Sequence, residues 1–282
     1  MKRRLLASVA ESTALYAAPV WGDMAMRTAK NRGALRSTQR TLASRVSRAY
    51  RTVSTEALLV LAKMLPWDLL VAERSKMYLD EGLDLTRARS ATISAWHEEW
   101  AQVRPGVTTG SWTKSLIPDL RAWYDRRHGE LSYWTTQVLT GHGQFQSYLS
   151  NIKKAISDIC VLCDSGETDN VEHTVLRCDA LREARDAAPT AVRGRPIKEV
   201  VSHMMTSAEA WREATNLFDA VLTLKTAKET ARRERFERVS RESGRDKEPR
   251  EGRGGGEQPG PHGLDAPSQD GLQNGIPLSN RR

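Results

Sequence analysis

Three cysteines and a histidine fall within nineteen residues, in the order Cys160-x2-Cys163-x9-His173-x4-Cys178. A Cys-x2-Cys pair brings two thiolates to one point on a tight turn. His-x4-Cys returns an imidazole and a third thiolate from the first turn of a following helix, which completes a tetrahedral Cys3His shell for zinc. These are all the cysteines of the chain. A disulfide would pair two and strand the third, and unligated buried thiols would not gather beside a histidine. Zn2+ is therefore the expected cofactor, with Cys160, Cys163, His173 and Cys178 as its ligands. Four protein ligands leave no open position for a substrate, so the site implies folding and binding rather than catalysis.

The second candidate chemistry is electrostatic. Residues 1–51 carry eleven Lys or Arg against Glu11 and Asp23, which accounts for the whole formal net charge of +8. Between 31 and 51, Arg32, Arg36, Arg40, Arg45, Arg48 and Arg51 occur without one acidic residue. On a wheel of 100° per residue, Leu35, Leu42, Val46 and Ala49 share one arc and the arginines spread over the rest. Such a helix is either a solvated face or a phosphate-binding one, and the lack of carboxylates favours an anionic partner, RNA or DNA. No small-molecule substrate is implied.

Other residues carry weaker signals. Asp80-Glu81 after Tyr78 has the look of a polymerase metal-binding turn, but it falls at a helix end with no strand pattern and no second carboxylate cluster. His142, between Gly141 and Gly143, reads as a loop residue. Trp96, Trp100, Trp112, Trp123 and Trp134 stand close to Arg121, Arg126 and Arg127, where they would suit base stacking, yet buried anchoring is the commoner use of tryptophan. No catalytic residue is expected, and the chain is not expected to be an enzyme.

The elements that position these groups are helical throughout. Helices are expected over 3–18, ended by Pro19 and Gly22; over 31–51; over 55–64 behind a Ser54 cap with Glu56 in its first turn; and from Pro66 to Leu79. Further helices are expected from Ser132 to Gly141, over 145–150, 179–188 and 197–205, and from 208 to about 239. From Ser240 the chain is rich in Gly, Pro, Arg and Glu and nearly devoid of large apolar residues, so 240–282 is expected to be disordered. The Leu5 to Ala10 run is interrupted by Glu11 too early for a secretory leader, and no stretch is long and apolar enough to span a bilayer. The expected location is intracellular, where thiols stay reduced.

The order of four motifs carries a resemblance: Leu15-Tyr16-Ala17-Ala18-Pro19-Val20-Trp21; Gln39-Arg40 with Arg48-Ala49-Tyr50-Arg51-Thr52-Val53-Ser54; Leu139-Thr140-Gly141-His142-Gly143-x-Phe145-x-x-Tyr148-Leu149; and the Cys-Cys-His-Cys site. Over residues 2–188 the chain resembles the carboxyl-terminal part of the Pol protein of insect non-LTR retrotransposons, of the type-1 clade that inserts into ribosomal RNA genes. The resemblance implies element RNA and target DNA as partners and a nuclear location. It departs from the full Pol pattern, because no Asp-Asp pair occurs in the chain and the endonuclease is missing. The expectation is an all-α, multi-segment protein: a basic segment 1–52 resembling the end of a reverse transcriptase thumb, a Trp-rich linker 53–150, a zinc knuckle 151–188, helices over 189–239 and the tail. Its function would be nucleic-acid binding; the alternative is a zinc-stabilised protein-interaction module with a solvated basic helix.

Overall fold

A computed structural model describes residues 2–102 and 109–245 of the chain. Residues Met1–Phe236 form one unit and Glu237–Arg282 a second. The first contains α1 (Lys2–Ala14), α2 (Ala18–Met26), α3 (Ala29–Ser47), α4 (Thr55–Ala62), α5 (Trp67–Leu79) and α6 (Leu85–Ala101). Short helices follow, α7 (Ser111–Leu116), α8 (Leu120–Asp125), α9 (Tyr133–Thr140) and α10 (Gln146–Asn151), then α11 (Arg182–Asp186), α12 (Ile197–Met204) and the long α13 (Ala208–Arg245). Among the described residues there is no strand, only an isolated antiparallel bridge between Ile159 and Thr168. The all-α architecture expected from sequence is what the chain adopts.

The centre of the first unit is α4, in which every residue from Ala57 to Ala62 is buried. A helix apolar on all sides must be surrounded. It is flanked by α3 and α8, while α5 packs against α2 and α6. Ser54 caps α4 by accepting from the Ala57 N–H, and Ser132 caps α9 in the same way from Thr135. Gln39 is fully buried on α3 and clamps the α4–α5 turn twice: its amide donates to the Leu65 carbonyl at 2.7 Å and accepts from the Trp67 N–H at 3.1 Å.

The helix expected over 31–51 ends at Ser47, with Arg48 as its left-handed cap, and two further boundaries differ from expectation. Pro19 and Gly22 do not stop a helix; they lie inside α2, and the break comes earlier, at the left-handed Ala17. Proline is tolerated in a first turn because its missing N–H has no helical partner there. Gly22 faces α5, where a Cβ would overlap the Val71 side chain. The other difference concerns the tail, since residues 240–245 continue α13. Arg and Glu are good helix formers even where no core is available. The rest of the expected disordered tail lies outside the described residues.

The tryptophans are anchors. Trp96, Trp100 and Trp123 are buried, and Trp112 and Trp134 are partly so. Their indole N–H groups reach carbonyls of other segments: Trp100 to Ile117, Trp112 to Val138 and Trp123 to Val60, each at 2.8 Å. A buried indole N–H usually finds such a partner, so each bond ties together two segments distant in sequence.

Candidate metal centre and basic pole

The chain enters the cysteine cluster from α10 through a narrow loop closed by the Ile159–Thr168 bridge, with Cys160 N–H donating to Glu167 O at 2.9 Å and Asp169 N–H to Asp158 O at 2.8 Å. These bonds turn the Cys160-x2-Cys163 segment back on itself. Ligand atoms of Cys160, Cys163, His173 and Cys178 all lie within 4.8 Å of one another. The Cys160 and Cys178 sulfurs are 3.8 Å apart, and Cys163 Sγ is 3.4 Å from His173 Nε2. A tetrahedral zinc with bonds of about 2.3 Å to sulfur and about 2.0–2.1 Å to nitrogen requires edges of about 3.8 Å and about 3.6 Å. The four side chains are compatible with such an ion.

His173 and Cys178 converge by an unexpected route. The expected helical turn after the histidine is a π turn, His173–Arg177, closed by the Cys178 N–H on the His173 carbonyl at 2.7 Å. In an α-helix, residues five apart point about 140° away from each other. A turn closed from i to i+5 places them on one side. The imidazole is fully buried and its other nitrogen, Nδ1, faces Glu167 Oε2 at 3.3 Å, while Arg177 Nε donates to the same oxygen at 2.8 Å. Arg177 first, and then His173, holds the Glu167 carboxyl below its ordinary range. A carboxylate behind a histidine orients the ring so that Nε2 is free to ligate.

The thiols differ in acidity. Burial, then the charge of Cys160, pushes Cys178 up to about 12. Burial also raises Cys163, but hydrogen bonds from Ser165 and from its neighbouring thiols outweigh it and bring this thiol down to about 7. Cys160 is raised, chiefly by burial.

A buried ion pair that sequence reasoning missed holds the cluster to α13. Lys225 Nζ sits 2.7 Å from Asp169 and 2.9 Å from Glu229, and neither Lys225 nor Asp169 is exposed to solvent. Asp169 also accepts from the Gln146 N–H at 2.9 Å and the Thr174 hydroxyl at 2.6 Å. A lysine on the apolar side of an amphipathic helix is the one sequence signal that points to it.

The six arginines expected along one helix divide into two groups, and Arg48 and Arg51 lie past the end of α3 at Ser47. Arg36 turns inward, to Asp68 and Glu99, each at 2.8 Å. Burial opposes its charge, but these two carboxylates overcome burial and raise its pKa. Arg40 donates to Thr55 Oγ1 at 3.0 Å and to the Arg51 carbonyl at 2.5 Å. Arg32 reaches back to the Met26 carbonyl at 2.5 Å but stays exposed, as do Arg45, Arg48 and Arg51. Arg48 is the left-handed cap of α3. It faces a recess shared with Arg3 and Arg4 of α1 and with Arg126 and Arg127, so that the basic residues collect at one pole.

Two motifs far apart in sequence meet beside α9. Thr52 Oγ1 lies 2.9 Å from His142 Nδ1 and 2.8 Å from the Tyr148 hydroxyl; His142 stacks on the Tyr148 ring at 4.6 Å, and Tyr50 pairs with the Tyr133 hydroxyl at 2.7 Å. Gly143 has φ +142° and lies against Gln137, whose side-chain oxygen accepts from the Gln144 N–H; a Cβ there would overlap that amide. His142 is thus a packing residue, and burial lowers its pKa. Asp80, at the end of α5, accepts from the Gly82 N–H at 3.0 Å in an exposed turn.

Fold and site together define an all-helical protein carrying a compact Cys3His knuckle, locked to a long helix by a buried ion pair. Its sequence relatives include Pol polyproteins from R1-type non-LTR retrotransposons of insects. It is 28% identical over 248 residues, 82% of this chain and 62% of the relative, to the retrovirus-related Pol polyprotein from type-1 retrotransposable element R1 4 of Nasonia vitripennis. It is 27% identical over 192 residues to that from element R1 2 of the same wasp, covering 61% of this chain and 45% of the relative. Against the putative 115 kDa protein in type-1 retrotransposable element R1DM of Drosophila melanogaster it is 30% identical over 193 residues, 61% of this chain and 18% of the relative. The chain therefore spans less than two thirds of the length of these relatives. No protein-family model matches it, and no solved structure does.

Proposed function

We propose that this chain is a nucleic-acid-binding part of a retroelement Pol protein, in which a zinc ion held by Cys160, Cys163, His173 and Cys178 fixes a small knuckle and the exposed arginines Arg32, Arg45, Arg48 and Arg51 contact phosphates. The observation that carries the reading is the convergence of four buried or half-buried ligand atoms within 4.8 Å of one another in a chain whose relatives are retrotransposon Pol polyproteins. Arg36 and Arg40 have a different task in this reading, because their guanidiniums are spent on Asp68, Glu99, Thr55 and the Arg51 carbonyl. RNA or DNA of the element and its target is the partner class, and the nucleus the place. The zinc would act structurally, through the folding free energy that ligation supplies to a segment with little core of its own.

The chain alone would bind without polymerising. In-line phosphoryl transfer needs carboxylates that hold two metal ions. The sequence has no Asp-Asp pair, and the nearest acidic pair, Asp80-Glu81, sits on an exposed turn after α5. The test is a binding assay across a range of KCl with a mixed-sequence RNA and a duplex DNA. Replacing Arg32, Arg45 and Arg51 together by glutamine should reduce the slope of log affinity against log salt by about two to three, because each phosphate left unneutralised keeps about one counterion. An unchanged slope would remove these arginines from the interface and leave the solvated-helix reading.

A further inference from the structure

The basic pole contains a cavity of about 260 Å³ where α1, the ends of α3 and α4 and the segment after α8 meet. Arg3, Arg4, Arg48, Lys63, Arg126 and Arg127 line it, and among the described residues the lining carries one carboxylate, Glu130. The partners of these cations are mainly neutral. Arg3 donates to the Arg45 carbonyl at 3.0 Å, Arg4 to the Ala62 carbonyl at 2.6 Å, and Lys63 to the Arg126 carbonyl. The first two acceptors belong to the last turns of α3 and α4, whose dipoles supply roughly half a negative charge each. Even with Asp125 acting on Lys63 from beside the cavity, two half-charges and two carboxylates fall short of six cations.

Arg126 is the least expected of the six. Its side chain is only 8% exposed, its guanidinium lies 3.7 Å from the Trp123 ring and 4.6 Å from the Trp211 ring, and one arm donates to the Trp123 carbonyl at 2.6 Å. The buried Nε–H has no hydrogen-bond partner. Burial, and then the charge of Arg4, pushes this guanidinium down to about 9; burial followed by Arg126 and Arg4 pushes Lys63 down to about 8, with Asp125 opposing. Both groups remain charged at neutral pH. Stacking on two indoles fixes the guanidinium plane but supplies no anion.

We propose that this cavity is a phosphate-binding pocket, with Arg126 as the rigid donor at its base and Arg4, Arg48 and Arg127 closing around the ligand from the rim. An anion held there would neutralise the cations that line it, in a site already shaped by them. Its source is the backbone of a nucleic acid, an assignment that rests on the function proposed above: exposed Arg45, whose carbonyl holds Arg3, continues the basic surface from the mouth of the pocket along α3. The pocket therefore adds a recessed phosphate site that the sequence periodicity of α3 does not include.

The test uses the full zinc-loaded chain and the double variant Arg4→Gln/Arg127→Gln. Both side chains are exposed and neither belongs to the arginine set changed above, so circular dichroism should show an unaltered fold. Two probes are applied, pyrophosphate in a thermal-shift assay and a short mixed-sequence single-stranded RNA in an anisotropy titration across KCl. Pyrophosphate should raise the melting temperature of the parent chain but not of the variant, since a ligand bound only to the native state stabilises it by mass action. The RNA salt slope should fall by about 0.7 in the variant, the value for one single-strand phosphate that is no longer neutralised. Pyrophosphate stabilisation and RNA slope both unchanged in the variant would overturn the pocket. Loss of the pyrophosphate effect with an unchanged RNA slope would overturn the backbone as the source and leave a site for a small phosphate. If the parent chain bound no RNA while pyrophosphate still stabilised it through Arg4 and Arg127, the nucleic-acid function would fail and the phosphate site would stand.

Discussion

Replacing Lys225 by methionine should cost about 3 kcal/mol or more of stability, and the loss should reach the metal centre. Methionine keeps the length and apolar stem of lysine but leaves Asp169 ionised and fully buried without its counterion. Breaking a buried pair in this way typically costs about 3–5 kcal/mol. Asp169 retains bonds from the Gln146 N–H and the Thr174 hydroxyl, which places the expected cost toward the lower end. Adding Asp169→Asn to Lys225→Met removes the stranded charge and should recover at least about 1 kcal/mol, because an uncharged amide is far less costly to bury. Urea unfolding followed by tryptophan fluorescence would register the single variant as a midpoint lowered by about 1–2 M, taking a slope of about 2–3 kcal/mol/M. Zinc affinity, measured by competition with a chromophoric chelator, should fall in parallel, because Asp169 lies between Cys163 and His173 and its position sets the path of the chain between them. The pH dependence has a definite sign. Burial works against the charge of Lys225, but Asp169 and Glu229 raise its pKa on balance, so the pair stabilises fully below the ordinary lysine value and is lost as pH climbs through the raised one. A loss below about 1 kcal/mol, the range of exposed pairs, would refute the argument from burial, as would a double variant less stable than the single one.

Two further outcomes follow from residues already described. In metal-free protein, alkylation by iodoacetamide should strike Cys163 first, with half-maximal reactivity near its pKa of about 7, while Cys178, pushed up to about 12, stays silent; zinc should protect all three thiols, and Cys163→Ser should lower the metal content from about one per chain. Uniform alkylation, or full zinc retention by the serine variant, would contradict the site. Gln39→Leu should destabilise by about 2–4 kcal/mol in thermal or urea unfolding, since it leaves both the Leu65 carbonyl and the Trp67 N–H buried without partners. A change of only a few tenths would mean that the α4–α5 turn is held by its apolar packing alone.

What could be read from the sequence was whatever depends on near neighbours. Cap and stop residues placed α4 and α9 because Ser54, Ser132 and Gly141 act on groups within a few positions of themselves. The ligand types and spacing of the cysteine cluster were legible for the same reason. Arg36 shows where such reading ends: periodicity put it on the polar side of α3, but its carboxylates come from positions 68 and 99, and only the packing of α5 and α6 makes them neighbours. Lys225 and Asp169 are 56 residues apart, and neither carries a local mark of burial beyond the apolar company of the lysine. Pro19 and Gly22 misled for a related reason. Both are helix breakers in isolation, but one falls in a first turn and the other faces a close neighbour, and these are circumstances of place.

The π turn at His173–Arg177 has a consequence for insertions and deletions. A chain one residue shorter between His173 and Cys178 could still present both ligands to one point, since residues four apart share a face of an ordinary α turn. Metal binding alone would tolerate that deletion. Everything after Cys178, however, would be re-aimed: the Cys178 carbonyl that receives Arg185 and the Ala180 carbonyl that receives Lys228 would both swing about the cluster. The surplus residue thus works as a spacer that sets the compass bearing of the downstream chain. Variants that lose it should keep their zinc and the Lys225–Asp169 pair while losing the bond from Lys228 to the Ala180 carbonyl.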